Sequence, residues 1–360
     1  MIIRFIVPPF IFALTAFSLF LLNERQIFDI RTLAQIDPLP HTQELIKQKK
    51  YADAYEYMRY FMEYDYVSSN PEAQKLYRDI QEVRKSYDYK ADKVLEGILK
   101  GKSDETLGQF SAIASDFLVI GDIRDLAIQG SNYAKDEEVD KVILALSSIG
   151  LAASASTIYS LGATSPIKGS ISLLKYARRA KKLPPWLSKQ LVHEAKIVRQ
   201  TKSLTKIEEI LKPINTLYDK VGLKQTLDLL KQTKNLNDLK TVAKFGSRFG
   251  KKSSVLLKIT KGEAKVYAKR LPNVTDKNFL YASTYGKNGL EGLQKLGSAK
   301  FIKRTRVLAN LSKTAYKGNL DTLFTYLLKT IPTNLLYAIA FLGLFYFIRK
   351  FYSIYRGVFS

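Results

Sequence analysis

The residues with the best claim to chemistry lie in one stretch, SDFLVIGDIRDLAIQG at positions 115–130. Asp116, Asp122 and Asp125 offer carboxylates for a cation, for proton transfer or for pairing with basic residues downstream. As a strand, DFLVIGD would end on Asp122 with Asp125 close behind, as in many metal-dependent α/β enzymes. No partner strands at βαβ spacing precede or follow it, and a lone parallel strand has nothing to pair with. As a helix, it gathers Phe117, Ile120, Ile123 and Ile128 near one face, sets Asp122 and Asp125 one turn apart, and points Arg124 elsewhere. A helix is expected, its acids solvated or ion-paired, because a lone D-x-x-D specifies no ligand.

Other chemistries find less support. His193 sits in LVHEAKI, but Ile197 stands where a zincin helix needs its second histidine, and the other histidine, His41, is distant in sequence. The chain has no cysteine, which removes disulfides, thiolate nucleophiles and cysteine-ligated metals. The Walker loop, the G-x-S-x-G elbow and the kinase motifs are all missing from the sequence. FGSRFGKKSS at 245–254 brings glycine, lysine and serine together at a spacing wrong for a phosphate loop. No catalytic, cofactor-binding or metal-binding residue is assigned, no cofactor is expected, and the chain reads as non-enzymatic.

The elements around these residues are expected to be all-α: two terminal transmembrane helices flanking a multi-helix body. Residues 1–23 form the first span, with Phe5 to Leu22 uncharged, close to the roughly 20 residues needed to cross hydrocarbon. A cleaved signal peptide is the rival reading, but SLFLLNERQ offers no small-x-small cleavage site. Pro8 and Pro9 are expected in its first turn. Residues 331–348 form the second span, started by Pro332 and followed by a basic tail at 349–360 with Arg349, Lys350 and Arg356. Tyr337, Tyr346, Tyr352 and Tyr355 are candidate interfacial anchors. A third uncharged run, 142–163, contains five serines, a threonine and two glycines, and is weighed as a weaker span or a packed helix.

Between the spans, 24–105 reads as an acidic-to-neutral helical region. It holds a tetratricopeptide-like helix pair around the turn SSNPE, with no second copy at the required period. Tyr51, Tyr55 and Met58 share one face and Tyr57, Phe61 and Tyr64 an adjacent one, a stripe expected to be core plus amphipathic rim. Residues 106–182 form a helical hairpin, and 183–330 a region of short lysine-rich helices. Within that region, 253–268 is left open between helix and hairpin.

The formal charge of +24 is uneven. Residues 166–330 hold 36 Lys/Arg against 10 Asp/Glu, a net of +26, whereas 23–110 hold 14 against 16 and 111–165 hold 3 against 7. Such a segment suits anionic lipid or an envelope polymer, or is simply a solubilising surface. Nucleic acid is disfavoured, because the basic region lacks interleaved exposed aromatics for stacking. Positive flanks tend to stay cytoplasmic, which predicts cytoplasmic termini and a periplasmic body.

The segment GKSDETLGQFSAIASDFLVIGDIRDLAIQGSNYAKDEEVDKVILALSSIGLAASAS resembles a family of proteobacterial inner-membrane proteins without assigned chemistry. They share a GD-[IVL]-RDL motif, an acidic gap, a VD pair and an apolar ALSxIGL helix. The likeness extends to SLLKYARRAKKL, roughly residues 100–182, and implies membrane residence but no site residues. The hairpin also resembles the DFxPxxGDxKD pre-toxin segments of bacterial polymorphic toxins, without their prolines. The expected role is a structural or interaction module of the cell envelope, bound to the lipid bilayer, with its protein partner unspecified. The alternative is a membrane-active effector that inserts 107–163.

Overall fold

The computed structural model describes residues 2–100, 125–129, 131–132, 139–160, 165–309 and 320–359. Among them are eighteen α-helices, two short 3-10 turns and no strand. The chain divides into two compact units, Asp37–Ala268 and a second one made of Met1–Ile36 with Lys269–Ser360. The charge asymmetry along the sequence does not follow the units. From the residue counts, the first unit carries a net +11 and the second +13, because the basic segment is cut between Ala268 and Lys269.

The terminal unit opens with α1 (Ile2–Ile27). It starts ahead of the expected point, so Pro8 and Pro9 lie inside the helix instead of in its first turn; their fixed φ suits the helix even though neither donates a bond.

The larger unit begins with α2 (Leu39–Lys47), α3 (Tyr51–Phe61), α4 (Asp65–Ser68), α5 (Pro71–Lys85) and α6 (Tyr87–Lys100). The SSNPE turn does what its residues suggest: Asn70 accepts from the amides of Glu72 and Ala73, and Pro71 occupies the first helical position. α3 packs on both α2 and α5. Met58 and Phe61 are fully buried there, each contributing roughly 1.5–3 kcal/mol by leaving water. The rim is aromatic: Tyr55 stacks on Tyr77 with ring centres 5.5 Å apart, under the Arg84 guanidinium at 4.4 Å. Burial pushes the Tyr57 and Tyr64 hydroxyls up to about 12.

The rest of this unit comprises α7 (Lys141–Ser160), α8 (Ser165–Arg179), α9 (Pro185–Thr201), α10 (Thr205–Val221), α11 (Leu223–Lys231), α12 (Leu236–Phe249), α13 (Ser253–Ile259) and most of α14 (Ala264–Arg270). The open choice at 253–268 resolves as two helices, α13 and α14, joined by a turn with Lys261 and Gly262 at positive φ. Glycine suits that backbone. The uncharged 142–163 run is helical through Ser160 and packs against both α8 and α9, burying Val142, Ile143, Leu146, Ile149 and Ala153. Up to Ala153 its apolar side is taken up by protein, and its strongly apolar part, Lys141–Ala153, is short for a span.

The terminal unit resumes with α15 (Asp276–Ser283), α16 (Gly286–Ala309), α17 (Leu320–Thr330) and α18 (Thr333–Phe359). Two helices among the described residues are long and apolar enough to cross a membrane, Val7–Ile27 within α1 and Thr333–Ser353 within α18. They pack against each other. Gly343 allows the closest approach: a Cβ there would sit 1.8 Å from Thr15 Oγ1. Ser18 donates to the Leu336 carbonyl at 2.6 Å, and Phe12 meets Phe347 edge-on at 6.0 Å. Leu21, Leu22, Phe28, Ile30, Leu328, Leu336 and Ala340 close a core at one end of the pair.

Candidate functional site

The larger unit contains an open cleft of about 410 Å³ lined by α3, α11, the 250–252 turn and α13. α3 supplies Asp53, Glu56 and Tyr57. α11 supplies Lys224, Asp228 and Lys231, and Lys251, Ser254 and Lys258 complete the wall. Lys224 and Asp228 fall one turn apart on α11, which an i, i+4 spacing dictates, so both point the same way.

Lys224 is the centre. Its ammonium, almost fully buried, donates to Asp53 Oδ1 and, at 3.2 Å, to Asp228 Oδ2. Lys182 completes the network on the other Asp228 oxygen at 2.7 Å. Burial alone would lower the Lys224 amine, yet Asp228 and Asp53 raise it above the ordinary lysine range. Burial likewise would raise the Asp228 carboxyl, but the Lys224 and Lys182 ammoniums hold it below the usual carboxylate range. Glu56 is committed as well, to Arg59 at 2.9 Å.

At the mouth, the Lys258 ammonium stands 5.4 Å from the Tyr57 ring, and His41 packs edge-on to the same ring at 4.7 Å. Desolvation, then repulsion from Lys224, draws the Lys258 amine below its ordinary range, although the side chain keeps contact with solvent. His41 is lowered too, first by burial and then by Lys258, which favours neutral imidazole. Nothing here aligns a nucleophile with a base, and no group of three metal-ligating side chains occurs among the described residues.

The residues singled out in the sequence land elsewhere. Asp116 and Asp122, with most of the 107–163 hairpin's first arm, lie outside the described residues. Residues 125–129 are helical, and Asp125 is buried with the Lys175 ammonium at 2.7 Å and Arg179 at 3.4 Å. Pairing of that acid with the downstream basic segment is therefore what the fold contains. His193 is exposed on α9, and its neighbour Glu194 is buried, accepting from Gln190 at 2.7 Å. FGSRFGKKSS, wrongly spaced for a phosphate loop, nonetheless contributes Lys251 and Ser254 to the cleft.

A second polar cluster, in the terminal unit, had no signal beyond two flanking charges. Arg25 turns inward at the end of α1 and clamps the break between α17 and α18. It donates from Nε and Nη2 to the Leu328 carbonyl at 3.1 and 2.7 Å, from Nη2 to Ile331 at 2.5 Å, and from Nη1 to Thr333 Oγ1 at 3.1 Å. Those carbonyls are the orphaned acceptors of a helix C-terminus, and a guanidinium fork satisfies several at once. Beside it, Glu24 pairs with Arg304 at 2.5 Å, both nearly buried. Within the flank NERQIFDIR, Glu24 and Arg25 are thus consumed in packing, while Asn23, Gln26 and Arg31 stay exposed.

No protein-family model, curated protein or solved structure matches the chain.

Proposed function

We propose that this chain is a two-span bacterial inner-membrane protein that works without catalysis, as a structural or interaction module of the cell envelope. In this reading the bilayer holds α1 and α18, the termini face the cytoplasm, and the larger unit lies on the periplasmic side. The basic surfaces from 166–330 then meet anionic headgroups or an envelope polymer. Each lysine near such a surface is worth about 1 kcal/mol and is screened by salt, so attraction is collective.

The observation that carries the reading is the inverted build of the α1–α18 pair. Ser18 is 1 % exposed, whereas Phe12 is 64 % and Phe341 70 % exposed, together with Phe10, Phe345, Ile348 and Phe351. Water would select the opposite arrangement; hydrocarbon selects this one, because it solvates phenylalanine and leaves hydroxyls to find partners inside the pair. So large an apolar surface is a liability in water. Arg349 and Lys350 lie near the end of the second apolar helix and are exposed, the pattern of a cytoplasmic basic stop.

The test has two parts. Alkaline carbonate washing of membranes should leave the full-length protein in the pellet, and its release would end the anchor reading. Reporters active only in the periplasm or only in the cytoplasm, fused after residue 100 and after residue 320, should both report the periplasm. Opposite sides would demand a third span, and two cytoplasmic signals would invert the orientation.

A further inference from the structure

We propose that the cleft between α3, α11 and α13 is a binding site for a compact organic phosphate, gripped by Lys231, Lys251 and Lys258. The inference comes from counting commitments. Three acids line the cleft, and each is already spoken for: Asp53 by Lys224, Asp228 by Lys224 and Lys182, Glu56 by Arg59. Of the four lining lysines, only Lys224 is used in this way. Among the described residues, the ammoniums of Lys231, Lys251 and Lys258 make no salt bridge or hydrogen bond; Lys258 stands over the Tyr57 ring and feels Asp53 and Asp228 only at longer range. The inner network is therefore a charge-balanced floor, and the exposed rim carries three lysines that no carboxylate pairs.

The ligand's class follows from the donors. No arginine lines the cleft, so the flat two-pronged grip preferred by carboxylates is missing. Lysine ammoniums are compact point charges with rotatable donors, and several can share the oxygens of one tetrahedral phosphate. The Ser254 hydroxyl and the Gln225 and Gln232 amides add neutral donors, while Tyr57 and Val255 offer an apolar wall to the ligand's organic part. At about 410 Å³ the space falls within the range of small-molecule sites. The rigid Lys224 network behind holds α3 against α11, which pre-orders the rim. This site does not rest on the membrane reading, since the larger unit contains all of it.

The test uses the full-length protein in a nonionic detergent, titrated calorimetrically with pyrophosphate, glycerol 3-phosphate and, as a carboxylate control, citrate. The cleft triple variant Lys231→Gln/Lys251→Gln/Lys258→Gln is compared with a charge-matched one, Lys196→Gln/Lys240→Gln/Lys244→Gln, whose side chains are exposed outside the cleft. Wild type and the matched variant should bind pyrophosphate, and the cleft variant should bind about tenfold more weakly or worse. Circular dichroism checks that the variants are folded, with Lys251→Gln alone as the milder substitute. No heat from either phosphate, equal binding by the two triple variants, or citrate binding as tightly as pyrophosphate would overturn the proposal. Repeating the titration in phosphatidylglycerol and phosphatidylcholine vesicles identifies the source. Loss of pyrophosphate binding in the former marks a lipid headgroup as the occupant, and undiminished binding in both marks a free phosphate compound; either supports the site.

Discussion

Gly343→Ala tests the packing of the two apolar helices at its tightest point. The added Cβ would lie 1.8 Å from Thr15 Oγ1, 2.9 Å from Thr15 Cβ and 3.0 Å from Cγ2. Rotating the threonine moves the oxygen but not Cβ, so the helices must part until carbons stand at an ordinary 3.5–4.0 Å or so. Overpacking of this kind costs roughly 1–3 kcal/mol. Separation also stretches the 2.6 Å bond from Ser18 to the Leu336 carbonyl, adding about 0.5–1.5 kcal/mol if it is lost. The sum, about 1.5–4.5 kcal/mol, shifts the equilibrium between packed and separated helices about 10- to 1,600-fold. Because the chain has no cysteine, Phe12→Cys and Phe347→Cys can be joined by a short bis-maleimide without background. The cross-linked fraction across an SDS series then reports the packed population. Gly343→Ala should lower the SDS midpoint. Adding Thr15→Gly, which deletes all three clashing atoms, should recover most of the loss despite roughly 0.3 kcal/mol of lost helix propensity. A midpoint unchanged by Gly343→Ala, or a double variant no better than the single, would refute the packing.

Three further outcomes follow from the same structure. Arg25→Gln orphans the Leu328 and Ile331 carbonyls and should cost about 2–5 kcal/mol in the same SDS assay; Arg25→Lys should restore only part of it, because an ammonium cannot fork. Lys224→Met should cost about 2–3 kcal/mol, near the lower edge for a broken buried pair, since Asp228 keeps Lys182 and the Asp53 side chain is a third exposed. Asp228 titrates below its unfolded value, so its stabilisation is present above about pH 4 and fades as pH falls through the depressed value; Lys224 titrates above about 10.4, so its share fades only as pH rises through the raised value. Melting profiles should therefore lose stability at both extremes, and Lys224→Met should flatten both limbs. Asp125→Asn and Lys175→Met should each destabilise by about 3–5 kcal/mol, while Asp125→Leu/Lys175→Met together should cost less than either; a melting temperature that instead tracks divalent cation in wild type would point to a metal role.

Much of the architecture follows from local pattern alone. The apolar runs at 5–22 and 331–348, the Asn70–Pro71 cap and the adjacent faces carrying Met58 and Phe61 each act within a few residues, so helix type and the two terminal segments follow from composition and 3.6-residue period, whereas the start of α1 and the form of 253–268 do not. The i, i+4 spacing puts Lys224 and Asp228 on one face of α11, although neither residue stands out in the sequence. What it could not supply is the partner across the gap: Asp53 reaches Lys224 from 171 residues away, and Asp125 reaches Lys175 from 50. The docking of α3 against α13, and of α13 against α11, decides which acids are consumed and which lysines are left over, and no sequence window contains that information. The same holds for Arg25, an ordinary flanking charge by position, which becomes a helix cap only because the chain's two ends fold together. Local spacing sets what each helix offers; burial and pairing depend on what packing brings within about 4 Å, and that was decided by the tertiary structure.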